Sequence, residues 1–140
     1  MHRNERGFTL MELMVVIVIV AILAAVAVPL YINYVKDAQR TDAKAAIGAI
    51  ITAEQSYFLK GQTGTPTFST EWGPSCAMVT AGVLDKAFVA DVSTRWTITL
   101  PTGGTDGFSV RAVSKSDNTV VVTYDYTKDG GGVWDAPPTP

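Results

Sequence analysis

This chain has one cysteine in its 140 residues, Cys76, so it cannot close a disulfide within itself and its fold has to rest on packing. Histidine is as scarce. The only one is His2, so the chain beyond it has no imidazole for a catalytic triad, a proton relay or an ordinary zinc site. Positive charge is short too: 11 Lys and Arg against 13 Asp and Glu give a net charge of −2, too little for a basic patch on the scale a nucleic acid requires. Two glycine clusters, Gly103-Gly104 and Gly130-Gly131-Gly132, lack the strand-to-helix setting and the lysine of a phosphate-binding loop. These absences argue against an enzyme and against a nucleic-acid binder.

Charge is missing altogether from residues 13–32, an apolar stretch of valine, isoleucine, leucine and alanine. At about 1.5 Å per helical residue, such a run is as long as the roughly 30 Å hydrocarbon core of a bilayer. It predicts a membrane-spanning helix. Just ahead of it stands Glu12, inside the apolar segment 7–35. A carboxylate there is costly in lipid and calls for a partner or a purpose. Arg3 and Arg6 precede the run, and positive charge marks the cytoplasmic side, so the orientation is N-terminus in. An ordinary secretory signal would be cut after its apolar core, and Ala25-Val26-Ala27 offers such a small-x-small site. Glu12 within the core and a glycine before it, Gly7, argue against that alternative.

Gly7-Phe8-Thr9-Leu10-Met11-Glu12, opening an uncharged helix, resembles the type IV prepilin signature. In that family a dedicated peptidase cuts after the glycine and methylates the new N-terminus, and the apolar helix stays on the protein. The resemblance implies cleavage between Gly7 and Phe8, N-methylation of Phe8, and roles in assembly for Glu12 and Pro29. Pro29, Tyr31 and Tyr34 stand where such pilins often carry a proline and two aromatics. Two departures follow from the residues present. Ala21 occupies the place of a glycine that loosens many pilin helices, and alanine is the better helix former. The C-terminal disulfide common in the family cannot form with Cys76 alone.

Beyond residue 35 polar residues mix with Ala43, Ala46, Ile47, Ile50, Ala53 and Tyr57, whose spacing of three and four marks one face of a helix ending near Gly61. Residues 37–40 and 42–44 read as a solvated face. The stretch 61–94 is punctuated by Gly61, Gly64, Pro66, Gly73 and Pro74 and is too long for a structureless loop, so local order is expected, with residues 81–92 as a short helix or an extended segment. Phe68 and Trp72 cap the core in this reading, Trp72 having an exposed contact as its alternative. Three runs then alternate at period two: Trp96, Ile98 and Leu100; Phe108, Val110 and Ala112; Val120, Val122, Tyr124 and Tyr126. They predict strands joined by short turns into an antiparallel meander over residues 95–126, its apolar face covering the helix stripe. Residues 127–140 read as a glycine- and proline-rich tail, with Trp134 docking back.

Asp106, Asp117, Asp125 and Asp129 raise calcium, because hard cations want several oxygens; the related major pseudopilins carry such a site. These aspartates fall in different turns without the spacing of a calcium loop, so ordinary surface carboxylates are the better reading and no cofactor is expected. The aromatics Phe8, Tyr31, Tyr34, Tyr57 and Phe58 read as interfacial and packing residues rather than an electron path. Cys76 reads as a small buried hydrophobe, with a reactive thiol as the alternative.

The expectation is therefore an α+β fold. A leader, 1–7, precedes a spanning and filament-core helix, 8–35, and a periplasmic or extracellular head, 36–140, in which an amphipathic helix (36–60) packs on a small sheet. The function implied by the resemblance is a structural subunit of a type IV pilus, serving attachment, twitching motility or DNA uptake. Its implied partners are copies of itself, the prepilin peptidase and N-methyltransferase, the inner-membrane assembly platform and minor pilins, with no nucleic acid required. It would lie in the inner membrane before joining a cell-surface filament. A type II secretion pseudopilin is the near alternative, and a membrane-anchored enzyme or binding module the distant one.

Overall fold

The computed structural model describes residues 7–61 and 68–135. The leader before Gly7, the loop residues Gly64 and Pro66, and the prolines 137, 138 and 140 lie outside them. The element order is helix α1 (Leu10–Lys60), two short helices, α2 (Ala77–Thr80) and α3 (Lys86–Arg95), and strands β1 (Trp96–Thr99), β2 (Gly107–Ser114), β3 (Val121–Thr127) and β4 (Gly131–Trp134). The chain divides after Asp37 into two compact units. The first is the apolar part of α1. The second carries the rest of α1 and everything after it.

In the second unit the predicted stripe is the buried one: Ala43, Ala46, Ile47, Ile50 and Ala53 of α1 are in the core, and Tyr57 is half-buried. They share one cluster with Phe68, Cys76, Met78, Val92, Trp96, Ile98, Phe108, Val110, Ala112, Val120, Val122 and Tyr124. Alanines on the helix face and β-branched residues on the sheet let the two layers meet closely, and this burial is the main stabilising term. The sheet runs β1-β2-β3-β4, every neighbouring pair antiparallel. Trp96 pairs with Ser114, Ile98 with Ala112, and Ala112 with Val122, so the period-two residues line one face as expected.

Three details differ from the sequence reading. Arg95 ends α3 and does not open β1. The segment 81–92 is split between a turn and a helix, because Gly82, at φ +68°, takes a left-handed conformation that ends α2 cheaply only in glycine. Asp85 then caps α3, its carboxylate accepting the Ala87 N–H at 2.6 Å. β3 begins at Val121, yet Val120 is still fully buried and its N–H bonds to the Asp117 carbonyl at 2.9 Å.

The largest correction concerns residues 131–134, read as tail and found as β4. Glycines count against a strand because they bring no side chain to pack. Here Tyr124 supplies the missing surface: a Cβ at Gly132 would collide with the Tyr124 hydroxyl, and the Tyr124 and Trp134 rings lie 4.8 Å apart. The ring of one strand thus covers the bare backbone of the next. Gly107 is equally constrained, since a Cβ there would run into the backbone carbonyl of Tyr126. Gly107→Ala is expected to cost about 1–3 kcal/mol through a forced backbone shift, measurable by denaturant titration of tryptophan fluorescence.

Candidate functional site

α1 begins at Leu10 because Thr9 caps it. The Thr9 hydroxyl oxygen accepts the Glu12 N–H at 3.2 Å, and Glu12 Oε2 accepts the Thr9 N–H at 2.9 Å and the Thr9 hydroxyl at 3.0 Å. This reciprocal capping box satisfies donors that the helix start would otherwise leave open. It also holds the carboxylate at the end of the helix dipole that favours negative charge, directed at backbone one residue from Phe8. Phe8 itself is 85 % exposed, and among the described residues no heavy atom outside its chain neighbours lies within 4 Å of where a Gly7 side chain would be. Among the described residues, nothing covers the Gly7–Phe8 bond.

Residues 7–35 are all exposed, and the most apolar 18-residue window of α1 has a mean hydropathy of 3.2 with none of it buried. An apolar surface of this extent has no counterpart on a soluble monomer. By length and composition it fits a bilayer. Pro29 sits inside α1 and, having no N–H, leaves the Ala25 carbonyl without its intrahelical donor.

In the head, the face read as solvated contains a structural tie. Asp42 on α1 accepts two bonds from Arg95 Nη1, at 2.7 and 2.6 Å, and one from Trp96 Nε1 at 2.9 Å. The Trp96 bond, followed by Arg95, holds the Asp42 carboxyl below the usual range against the effect of burial. Arg95 also reaches Asp91 at 2.8 Å. Asp117 orders its own turn by accepting the Thr119 N–H at 2.9 Å, and among the described residues no three His, Cys, Asp or Glu are grouped to hold a metal ion. Cys76 is buried and free. Trp72 is half-buried, its Nε1 donating to Ser93 Oγ at 3.1 Å.

Sequence reasoning passed over Glu54. It is 0 % exposed, and its position was legible, since it lies four residues after Ile50 and seven after Ile47, on the stripe itself. Burial pushes its carboxyl up to about 7, against the opposing hydrogen bond from the Ser69 N–H.

Residues 2–28 match the family described as the prokaryotic N-terminal methylation motif. A type IV major fimbrial protein FimA of Dichelobacter nodosus is 31% identical over 120 residues, 86% of this chain and 71% of that one. Another FimA of the same species is 38% identical over 78 residues, 56% of this chain and 49% of its own. A Pseudomonas aeruginosa fimbrial protein is 45% identical over 60 residues, 43% of this chain and 39% of its own. The chain thus spans about half or less of the length of several curated relatives it matches. No solved structure matches the chain. The relatives are pilins and fimbrial proteins, none of them named as an enzyme. With the capping-box motif, the exposed apolar helix and the α+β head in place, and a fimbrial relative aligned along most of both chains, this chain belongs to the type IV pilin family.

Proposed function

We propose that this chain is a structural subunit of a type IV pilus. The observation that carries the reading is the fully exposed apolar part of α1, opening on a carboxylate held one residue from an accessible Gly7–Phe8 bond. The precursor sits in the inner membrane with residues 1–7 inside, residues 8–35 across the bilayer and the head, 36–140, outside. Prepilin peptidase cuts after Gly7 and the amine of Phe8 is methylated. Subunits then leave the lipid and stack their helices, trading lipid contacts for packed side chains, in head-to-tail contacts that do not close and so make a fibre. The inner-membrane platform and minor pilins would serve that assembly. The pseudopilin alternative is less favoured, because the matched relatives are pilus and fimbrial proteins.

The test is the mass of the protein recovered from the membrane fraction. It should correspond to a chain beginning at methylated Phe8. A chain beginning at Val28, or one that keeps Met1, would overturn the processing step and with it the pilin mechanism.

A further inference from the structure

We propose that Glu54 is a pH-operated clasp: protonated, it fastens the strap of residues 68–72 to α1, and ionised, it lets the strap open. The geometry comes first. Glu54 is entirely out of solvent on the core face of α1, where Oε2 accepts the Ser69 N–H at 2.9 Å and Oε1 has no hydrogen-bond partner among the described residues. A buried carboxylate needs several donors or a cation to be stable, and one N–H does not suffice.

The charged groups on the surrounding elements are committed elsewhere. Lys60, on α1, donates to the Ala81 carbonyl at 3.2 Å. Lys128, after β3, lies over the Phe58 ring, 5.8 Å from its centre. Asp106, before β2, takes the Thr105 hydroxyl at 3.3 Å, and Glu71, on the strap itself, is exposed. The remaining titratable neighbours of this core are Tyr57, Tyr124, Tyr126 and the Cys76 thiol. No charged side chain contributes to the rise of the Glu54 carboxyl from its ordinary 4.5 to about 7; burial drives it.

The strap's other fastenings are mostly apolar and centre on Phe68, which is buried against the Phe58, Phe108 and Tyr126 rings. The Phe68 N–H bonds to the Gly104 carbonyl at 2.8 Å, and its ring stacks on Phe58 at 4.6 Å. Trp72 bonds to Ser93. The Glu54–Ser69 bond is the polar tie from strap to α1, and the aromatic pair Phe58–Phe68 lies beside it. Losing that tie lets Phe68 lift from Phe58 and uncovers apolar surface on the head.

The sign follows from proton binding. The closed state holds a proton on Glu54 that the open state, with an ordinary carboxyl, gives up between pH 4.5 and about 7. Closure is therefore fully favoured below 4.5 and weakens as pH rises through about 7. If opening solvates the carboxyl fully, raising the pH from 5 to 8 multiplies the opening equilibrium by about 70-fold.

The test is hydrogen exchange on the full-length mature protein in detergent, with protection factors for residues 69–72 corrected for the intrinsic pH dependence. Wild type should lose some tens-fold of protection between pH 5 and 8. Glu54→Gln, which keeps an acceptor for Ser69 and cannot ionise, should change by less than about threefold. The surface control Glu71→Gln should behave as wild type. Equal losses in wild type and Glu54→Gln, or a flat wild-type profile, would overturn the proposal. Carbon-13 carboxyl NMR of glutamate-labelled wild type decides the matter even if the variant does not fold. Only Glu12, Glu54 and Glu71 remain after residue 7. A head glutamate titrating near 7 supports the clasp, and both head glutamates titrating below 5 contradict it.

Discussion

Glu12→Gln is expected to leave the subunit inserted, processed and present at wild-type amounts while sheared surface filament falls at least about tenfold. The argument runs from charge. Glutamine can still accept the Thr9 N–H and hydroxyl that Glu12 Oε2 takes at 2.9 and 3.0 Å, so the capping box and the start of α1 survive. What the amide cannot do is neutralise a cation. In the proposed processing, cleavage after Gly7 would create a methylated but still positive amine on Phe8, and packing an apolar helix among its copies would take that amine out of water. Removing one member of a charge pair strands the other, and this is the expensive direction. An incoming subunit's Phe8 amine meeting the Glu12 carboxylate of a subunit already in place would set axial register by neutralisation. The comparison is filament yield against total cellular protein for both chains. Normal yield from Glu12→Gln would remove the carboxylate from assembly and leave the helix as an anchor only.

Phe108→Ala should be the most damaging single change in the head, costing about 3–5 kcal/mol. Phe108 is 2 % exposed and stands at the centre of the aromatic cluster, 4.9 Å from the Phe68 ring, 5.2 Å from Tyr126 and 6.2 Å from Tyr124. It joins the strap, β2 and β3 in one contact set. Truncation leaves a cavity walled by rings too large to swing into it. A domain of this size has about 5–15 kcal/mol in all, so the loss would take the head near its unfolding threshold. Trp72, Trp96 and Trp134 all lie in the head, so guanidinium titration of intrinsic fluorescence on the full chain in detergent reports it. A loss under about 1 kcal/mol would show that the ring packs less tightly than its burial indicates.

Much of this fold is visible in periodicity alone. The stripe from Ala43 to Ala53 and the alternation through β1, β2 and β3 are single-residue patterns tied directly to burial, and each faces the core as its period requires. What escaped depends on pairs of residues distant in sequence. β4 reads as tail because its glycines carry no signal until Tyr124, seven residues before the strand, is known to lie across them. Arg95 reads as the first residue of the sheet and is not, for a reason seen only in space: it ends α3 and reaches back to Asp42, 53 residues earlier. Glu54 was legible by position and hidden by chemistry, since a glutamate on a buried stripe is readily passed over as a surface residue at its margin. At the N-terminus the motif itself was plain. Its capping geometry, with both Thr9 donors ending on Glu12 Oε2, needed coordinates.

The central claim is that this chain leaves the membrane to become filament, and one measurement addresses it directly: electron microscopy and mass spectrometry of the fraction sheared from the surface of cells expressing it. Regular fibres built of this chain, each subunit beginning at methylated Phe8, are the expected result. The chain remaining wholly in the membrane fraction, with no fibre containing it, would contradict the claim.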